Sequence, residues 1–136
     1  MEKLVIEGEK KTPHIILDPE SRQLKFEGRS IPEDTISFYE PILKWMEGYI
    51  SEKREGTTDL HVNLEYFNTS TSRYLFGIFK KLEAYHNQGN PVLIHWYYEK
   101  DDFEMLESGE DYASILKIPF KMVPIEVEGD DYTPPL

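Results

Sequence analysis

From residue 59 onward, segments of strand period and helix period alternate, and that order constrains the fold more than any other feature. Asp59 to Phe67 alternates: Leu60, Val62, Leu64 and Tyr66 point one way, and His61, Asn63 and Glu65 the other. Thr71, Leu75, Ile78, Phe79, Leu82 and Tyr85 then recur at helical spacing. Asn87-Gln88-Gly89-Asn90, with Pro91 beyond, is a good helix stop. Val92 to Tyr98 reads as a strand. Phe103, Leu106, Tyr112, Ile115 and Leu116 indicate a third helix, with Ser108-Gly109 as a candidate break, and Phe120 to Val127 reads as a last strand. Strands joined through helices pair in parallel by right-handed crossovers.

The first part of the chain differs. Lys3 to Glu7, His14 to Leu17 and Gln23 to Glu27 read as strands, and Asp18-Pro19-Glu20-Ser21 carries turn chemistry. An antiparallel hairpin follows. Ile36, Tyr39, Ile42, Leu43, Met46, Tyr49 and Ile50 then mark a helix that Asp34 or Thr35 can cap. Pro41 is expected to kink it or to mark its true start. The order β-β-β-α-β-α-β-α-β gives an α/β fold with a mixed sheet: an N-terminal antiparallel hairpin, then parallel βα crossovers. The polar side of Asp59 to Phe67 leaves one sheet face only partly covered. Residues 1–128 are expected to form one domain, and 129–136, which lack periodicity, a loose tail.

Composition narrows the function. The chain carries 15 basic and 26 acidic residues, a net charge of −11, and so lacks the basic surface that nucleic acid needs. An anionic membrane surface is disfavoured for the same reason. No apolar run reaches membrane length, and the N-terminus does not read as a signal peptide. With no cysteine there are no disulfides or thiolate sites, and a cytoplasmic location is expected. His14, His61, His86 and His95 lie in four different elements without metal-ligand spacing, so no metal is expected. Phosphate-binding glycine loops and nucleophile elbows are absent from the sequence. We expect neither catalytic residues nor a cofactor.

Tyr66-Phe67-Asn68-Thr69-Ser70-Thr71-Ser72-Arg73 sits where a strand hands over to a helix. Capping accounts for one residue of it. Four consecutive hydroxyls exceed that need. A hydroxyl at an exposed helix start is open to a kinase. The phosphate would meet free backbone N–H groups and the positive end of the helix dipole, and Arg73 lies within the first turn to pair with it. The fold would tolerate it, and the added charge would fall on a docked partner.

The chain resembles the SiaC family of bacterial regulatory phosphoproteins, related in fold to the STAS-domain anti-sigma factor antagonists. The resemblance runs from about Leu4 to Val127 and is carried by an ordered set of residues. Thr12-Pro13 and Gly28-x-Ser30-x-Pro32-Glu33 come first, and Trp45 lies in the first helix. Leu64-x-Tyr66-x-Asn68-Thr69-Ser70 is the core motif. His86, Gly89, Trp96-x-Tyr98 and Pro119-Phe120 complete it. The resemblance implies a STAS-like fold and a non-enzymatic switch. A GHKL-type serine/threonine kinase would phosphorylate the central hydroxyl, and a PP2C-like phosphatase would reverse it. The unphosphorylated form would bind and regulate a target, a diguanylate cyclase in the best-known system, with cyclic di-GMP signalling and biofilm formation as output. By motif match the acceptor is Thr69, with Ser70 as runner-up. Asn68 would shape the turn, and Ser70 or Thr71 would cap the helix. Asn68, Thr69, Ser70, Thr71 and Arg73 form the expected partner-binding set.

Two other readings stay open. A small-ligand- or lipid-binding module could use His95, Tyr97 and Tyr98 on the open sheet face. An acid–base enzyme could use His61 or His95. The acidic stretch from Glu99 to Asp111 is either a solvated helix face or a surface that steers a basic partner.

Overall fold

The computed structural model describes residues 1–126. Its strands are β1 (Leu4–Ile6), β2 (His14–Asp18), β3 (Gln23–Ser30), β4 (Thr58–Phe67), β5 (Val92–Glu99) and β6 (Phe120–Ile125). Its helices are α1 (Thr35–Ile50), α2 (Thr69–Asn87) and α3 (Phe103–Ile115). The six strands lie side by side in chain order. β1, β2 and β3 pair antiparallel, and β3 to β6 pair in parallel. The mixed sheet, the hairpin and the three crossover helices stand as expected. The last strand ends at Ile125, and the tail expected from residue 129 lies outside the described residues.

A parallel sheet whose strands follow in sequence receives every right-handed crossover on the same side. The burial pattern agrees. Leu24, Phe26, Leu60, Val62, Ile94 and Trp96 are buried beneath the helices. Their neighbours Lys25, His61 and His95 lie on the other face. The helices contribute Tyr39, Ile42 and Met46 from α1, Leu75, Ile78 and Phe79 from α2, and Met105 and Tyr112 from α3.

Two expected irregularities resolve differently. α1 runs unbroken through Pro41. The helical acceptor that Pro41 leaves unused is the carbonyl of Ser37, and both residues are exposed, so water can take that bond. α3 runs unbroken through Ser108-Gly109. Gly109 is buried because the indole of Trp96 packs against it: a Cβ there would lie 2.6 Å from Trp96 Nε1. Trp96 is fully buried and donates that N–H to the Met105 carbonyl at 2.8 Å.

Each helix starts beyond the carboxyl end of a parallel strand, with an Asp or Asn side chain as cap. Asp34 accepts from Ser37 N, Asn68 from Thr71 N and Asp102 from Met105 N. The cap of α2 is therefore Asn68, and neither Ser70 nor Thr71 serves. Three helix starts thus share one edge of the sheet, with α2 in the middle.

Candidate functional site

The segment leading into α2 is set by a bulge. Gly28 pairs with Leu64 and Arg29 with Tyr66, which leaves Glu65 as an extra residue in β4. Gly28, at φ 118°, takes a conformation that side chains resist. The extra residue reverses the alternation beyond Leu64. Tyr66, expected to face inward with Leu60 and Val62, is instead 53% exposed. Phe67 turns in to meet Trp96 edge-on at 6.0 Å.

The four hydroxyls after Asn68 have different fates. Thr71 is 0% exposed. Its hydroxyl donates to the Ser30 carbonyl at 2.9 Å and lies 2.8 Å from Ser30 Oγ, which lies 2.7 Å from the Tyr39 hydroxyl. Each hydroxyl has one proton, so the order is fixed: Tyr39 donates to Ser30 Oγ, Ser30 to Thr71, and Thr71 to the carbonyl. Burial pushes the Tyr39 hydroxyl up to about 12, so it remains a donor. Ser72 is tied on the other side. The Tyr112 hydroxyl donates to the Ser72 carbonyl at 3.0 Å, and Ser72 Oγ donates to Tyr112 at 2.7 Å.

Thr69 and Ser70 are exposed, and their hydroxyls make no hydrogen bond among the described residues. Thr71 is closed to a kinase and to a docked partner, so it leaves the surface set expected from the motif. Asn68 is half-buried and occupied as the cap. Arg73 is exposed, one turn beyond Thr69, and makes no ion pair among the described residues.

Two grooves flank this turn. The one between α1 and α2 encloses about 420 Å³ and is lined by Thr35, Ile36, Ser70, Arg73 and Tyr74. Ile36 there is 66% exposed. The one between α2 and α3, about 190 Å³, is lined by Phe67, Ser72, Ser108, Asp111, Tyr112 and Ile115. Ser30, Tyr39 and Tyr112 build the support beneath the turn; Ser30 stands in the Gly28-x-Ser30-x-Pro32-Glu33 set, whereas Tyr39 and Tyr112 carry no motif that singles them out.

The model of the SiaC family regulatory phosphoprotein matches residues 6–125. The chain belongs to the SiaC family. It is 28% identical over 120 residues to an uncharacterized protein of Pseudomonas aeruginosa (strain UCBPP-PA14), covering 88% of this chain and 94% of the relative. It is similar to apo-SiaC from Pseudomonas aeruginosa, with TM-score 0.82 and 28% identity over 90% of this chain and 99% of that one. It also matches a chain in the crystal structure of diguanylate cyclase SiaD in complex with its activator SiaC from the same organism. That match has TM-score 0.84 and 27% identity, covering 90% of this chain and 99% of the other.

In this SiaC-family chain the open sheet face holds a second polar cluster. β4 and β5 place His61 beside His95, and the two rings stack 4.3 Å apart. Gln23 donates from Nε2 to Asp59 Oδ2 at 2.9 Å, so its Oε1 accepts from His61 Nε2 at 2.8 Å. His61 Nδ1 is then the acceptor for the Tyr97 hydroxyl at 2.9 Å. His95 Nε2 bonds the other Asp59 oxygen at 2.8 Å. Of the groups expected to serve a ligand or acid–base chemistry, His61 is thus bonded to Tyr97 and Gln23 and His95 to Asp59, while Tyr98 lines a neighbouring groove. Among the described residues no group of three or more His, Cys, Asp or Glu could hold a metal. No helix among them is long and apolar enough to cross a membrane.

This cluster carries a pH dependence. Desolvation, then the charge of His95, lowers the proton affinity of His61 below that of free histidine, while Asp59 opposes and Lys25 adds to the shift. The unfolded chain binds a proton at His61 near pH 6.5, and the folded chain only at lower pH. Unfolding therefore takes up protons below about pH 6.5, and stability falls as pH drops through that window. His61→Gln is expected to flatten the decline in urea midpoint between pH 7.5 and 5.5. An unchanged slope would show that His61 does not carry it.

Proposed function

We propose that this chain is a binding switch controlled by phosphorylation of Thr69, with Ser70 as the alternative acceptor. The observation that carries the reading is the division of the hydroxyls. Thr71 and Ser72 are held by Ser30, Tyr39 and Tyr112, and Thr69 and Ser70 project free from the same turn. A phosphate there lies beside the α2 N-terminus and within one turn of Arg73, so the fold can accept it. Its effect falls on a partner, through about −1.5 to −2 of added charge.

Membership of the SiaC family supports a GHKL-type kinase and a PP2C-like phosphatase as the opposing enzymes. The likeness to the SiaC bound to SiaD supports a diguanylate cyclase as the target of the unphosphorylated form. In this reading the chain acts by binding and has no catalytic residues or cofactor, and it works in the cytoplasm. The expected partner surface is Thr69, Ser70 and Arg73 with the flanking grooves. The acidic α3, which carries Glu104, Glu107, Glu110 and Asp111, borders one of them and favours basic groups on the kinase or the cyclase.

The test is tandem mass spectrometry of the chain purified from its own organism with phosphatase blocked. A phosphate on Thr69 or Ser70 is expected, and it should vanish in the Thr69→Ala, Ser70→Ala double variant. Phosphate mapped to Ser72, or retained in the double variant, would contradict the reading.

A further inference from the structure

Parallel strands are ordinarily covered on both faces, yet the helices cover only one side of β3 to β6. The register carries one row straight across the open side: Lys25 beside His61, His61 beside His95, and His95 beside Lys121. Both lysines are exposed, and neither makes an ion pair among the described residues. They stand unpaired on a chain of net charge −11. Asp59, the carboxylate beside the histidines, is already bonded to Gln23 and His95. Half-buried Leu93, Tyr97 and Val123 flank the row with apolar surface.

The strand that carries Lys121 hands over at Ile125 to Glu126, the last described residue. Residues 127–136 hold Glu128, Asp130 and Asp131 and no basic residue. The family match ends at residue 125, so this segment lies beyond the matched part of the fold. Its reach is sufficient. Lys121 lies about 13 Å back along β6 from Ile125, and Lys25 about 14 Å farther across three strand spacings. Ten residues span up to about 33 Å. The direction also has a cause. Ile125 lines a groove with Glu27, Glu65 and Asp102, whose carboxylates repel an acidic segment from that end of the sheet.

We propose that residues 127–136 turn back at Gly129 and lie across the open sheet face, with Asp130 and Asp131 on the Lys121 side of the row and Tyr132 over the stacked His61 and His95 toward Lys25. Opposite charge holds the segment there, and the rings of Tyr132 and the histidines exclude water between them. In this seat the segment gives the face the cover that the helices leave out. It also withholds both lysines from other acidic chains. The seat is independent of the switch at the head of α2.

The chain has no cysteine, so Thr133→Cys in the full chain takes a single nitroxide label. The measurement is the loss of amide NMR intensity that the label causes. The amides of His61, His95 and Lys25 should lose most of their intensity, and those of α1, on the other side of the sheet, should keep theirs. Asp130→Lys with Asp131→Lys should restore the intensity at His61 and Lys25. Adding Lys25→Glu and Lys121→Glu reverses the face as well and should remove it again, because complementarity returns. The two lysine changes should leave the melting temperature near wild type, since both side chains are exposed. The same intensity loss with the charge-reversed segment would overturn the proposal, as would loss spread evenly over both sides of the sheet. Labelled chain is also mixed with isotope-enriched, unlabelled chain. Intensity loss at His61 in that mixture would assign the face to a second copy and overturn the intramolecular seat.

Discussion

Gly109→Ala is expected to destabilise the fold by about 2–3 kcal/mol, at the upper end of what one added methyl does in a packed core. The new Cβ would overlap the Trp96 indole, and neither partner can yield easily. Trp96 is fully buried, held by its bond to the Met105 carbonyl, and surrounded by Phe67, Phe79 and Tyr112 at ring distances of 6.0, 6.4 and 5.6 Å. Relief requires α3 to move off the sheet, which pulls the Tyr112 hydroxyl from Ser72 and loosens one side of the turn at the head of α2. A urea titration measures the cost directly. Unfolding at the wild-type midpoint would show that α3 does not rest on the indole as described.

The second large effect contrasts two neighbouring threonines. Thr71→Val keeps the shape of the side chain but removes its hydroxyl. The Ser30 hydroxyl proton then loses its buried acceptor and the Ser30 carbonyl keeps only the Asn68 N–H, at a cost of about 1–3 kcal/mol. Thr69→Ala, two residues away, removes the same group from an exposed site and should stay within about 0.5 kcal/mol of wild type. The pair is read by urea midpoints of two single variants. Equal costs would erase the distinction between anchored and free hydroxyls on which the acceptor assignment stands.

The periodicities along the chain made most of the architecture legible. Leu60, Val62 and Leu64 alternate with polar residues, and Leu75, Ile78, Phe79 and Leu82 repeat at helical spacing, because burial on one side selects for those periods. Thr71 belonged to that same inward stripe, so its burial was already written in the helical pattern. Reading it as a surface hydroxyl gave the motif more weight than the period. Other features had no local signal. The bulge that turns Tyr66 outward arises from pairing with β3 through Gly28, a contact between residues far apart in the chain. The supports Ser30, Tyr39 and Tyr112 come from β3, α1 and α3, and only the tertiary fold brings them to the head of α2. Gly109 looked like a helix break because the sequence gives no sign that Trp96 packs against it.

In the proposed switch, a phosphate on this turn changes partner binding while the fold stays as it is. The direct measurement is the affinity of the chain for the proposed target, a SiaD-type diguanylate cyclase of its own organism, before and after stoichiometric phosphorylation at Thr69, with amide spectra of both forms recorded by NMR. The expected result is a loss of about a hundredfold in affinity, the scale of a desolvated like-charge or displaced ion-pair penalty, with spectral changes confined to the first turn of α2 and its two grooves. Equal affinity of the two forms would contradict the account, as would a phosphorylated chain that has lost its packed core.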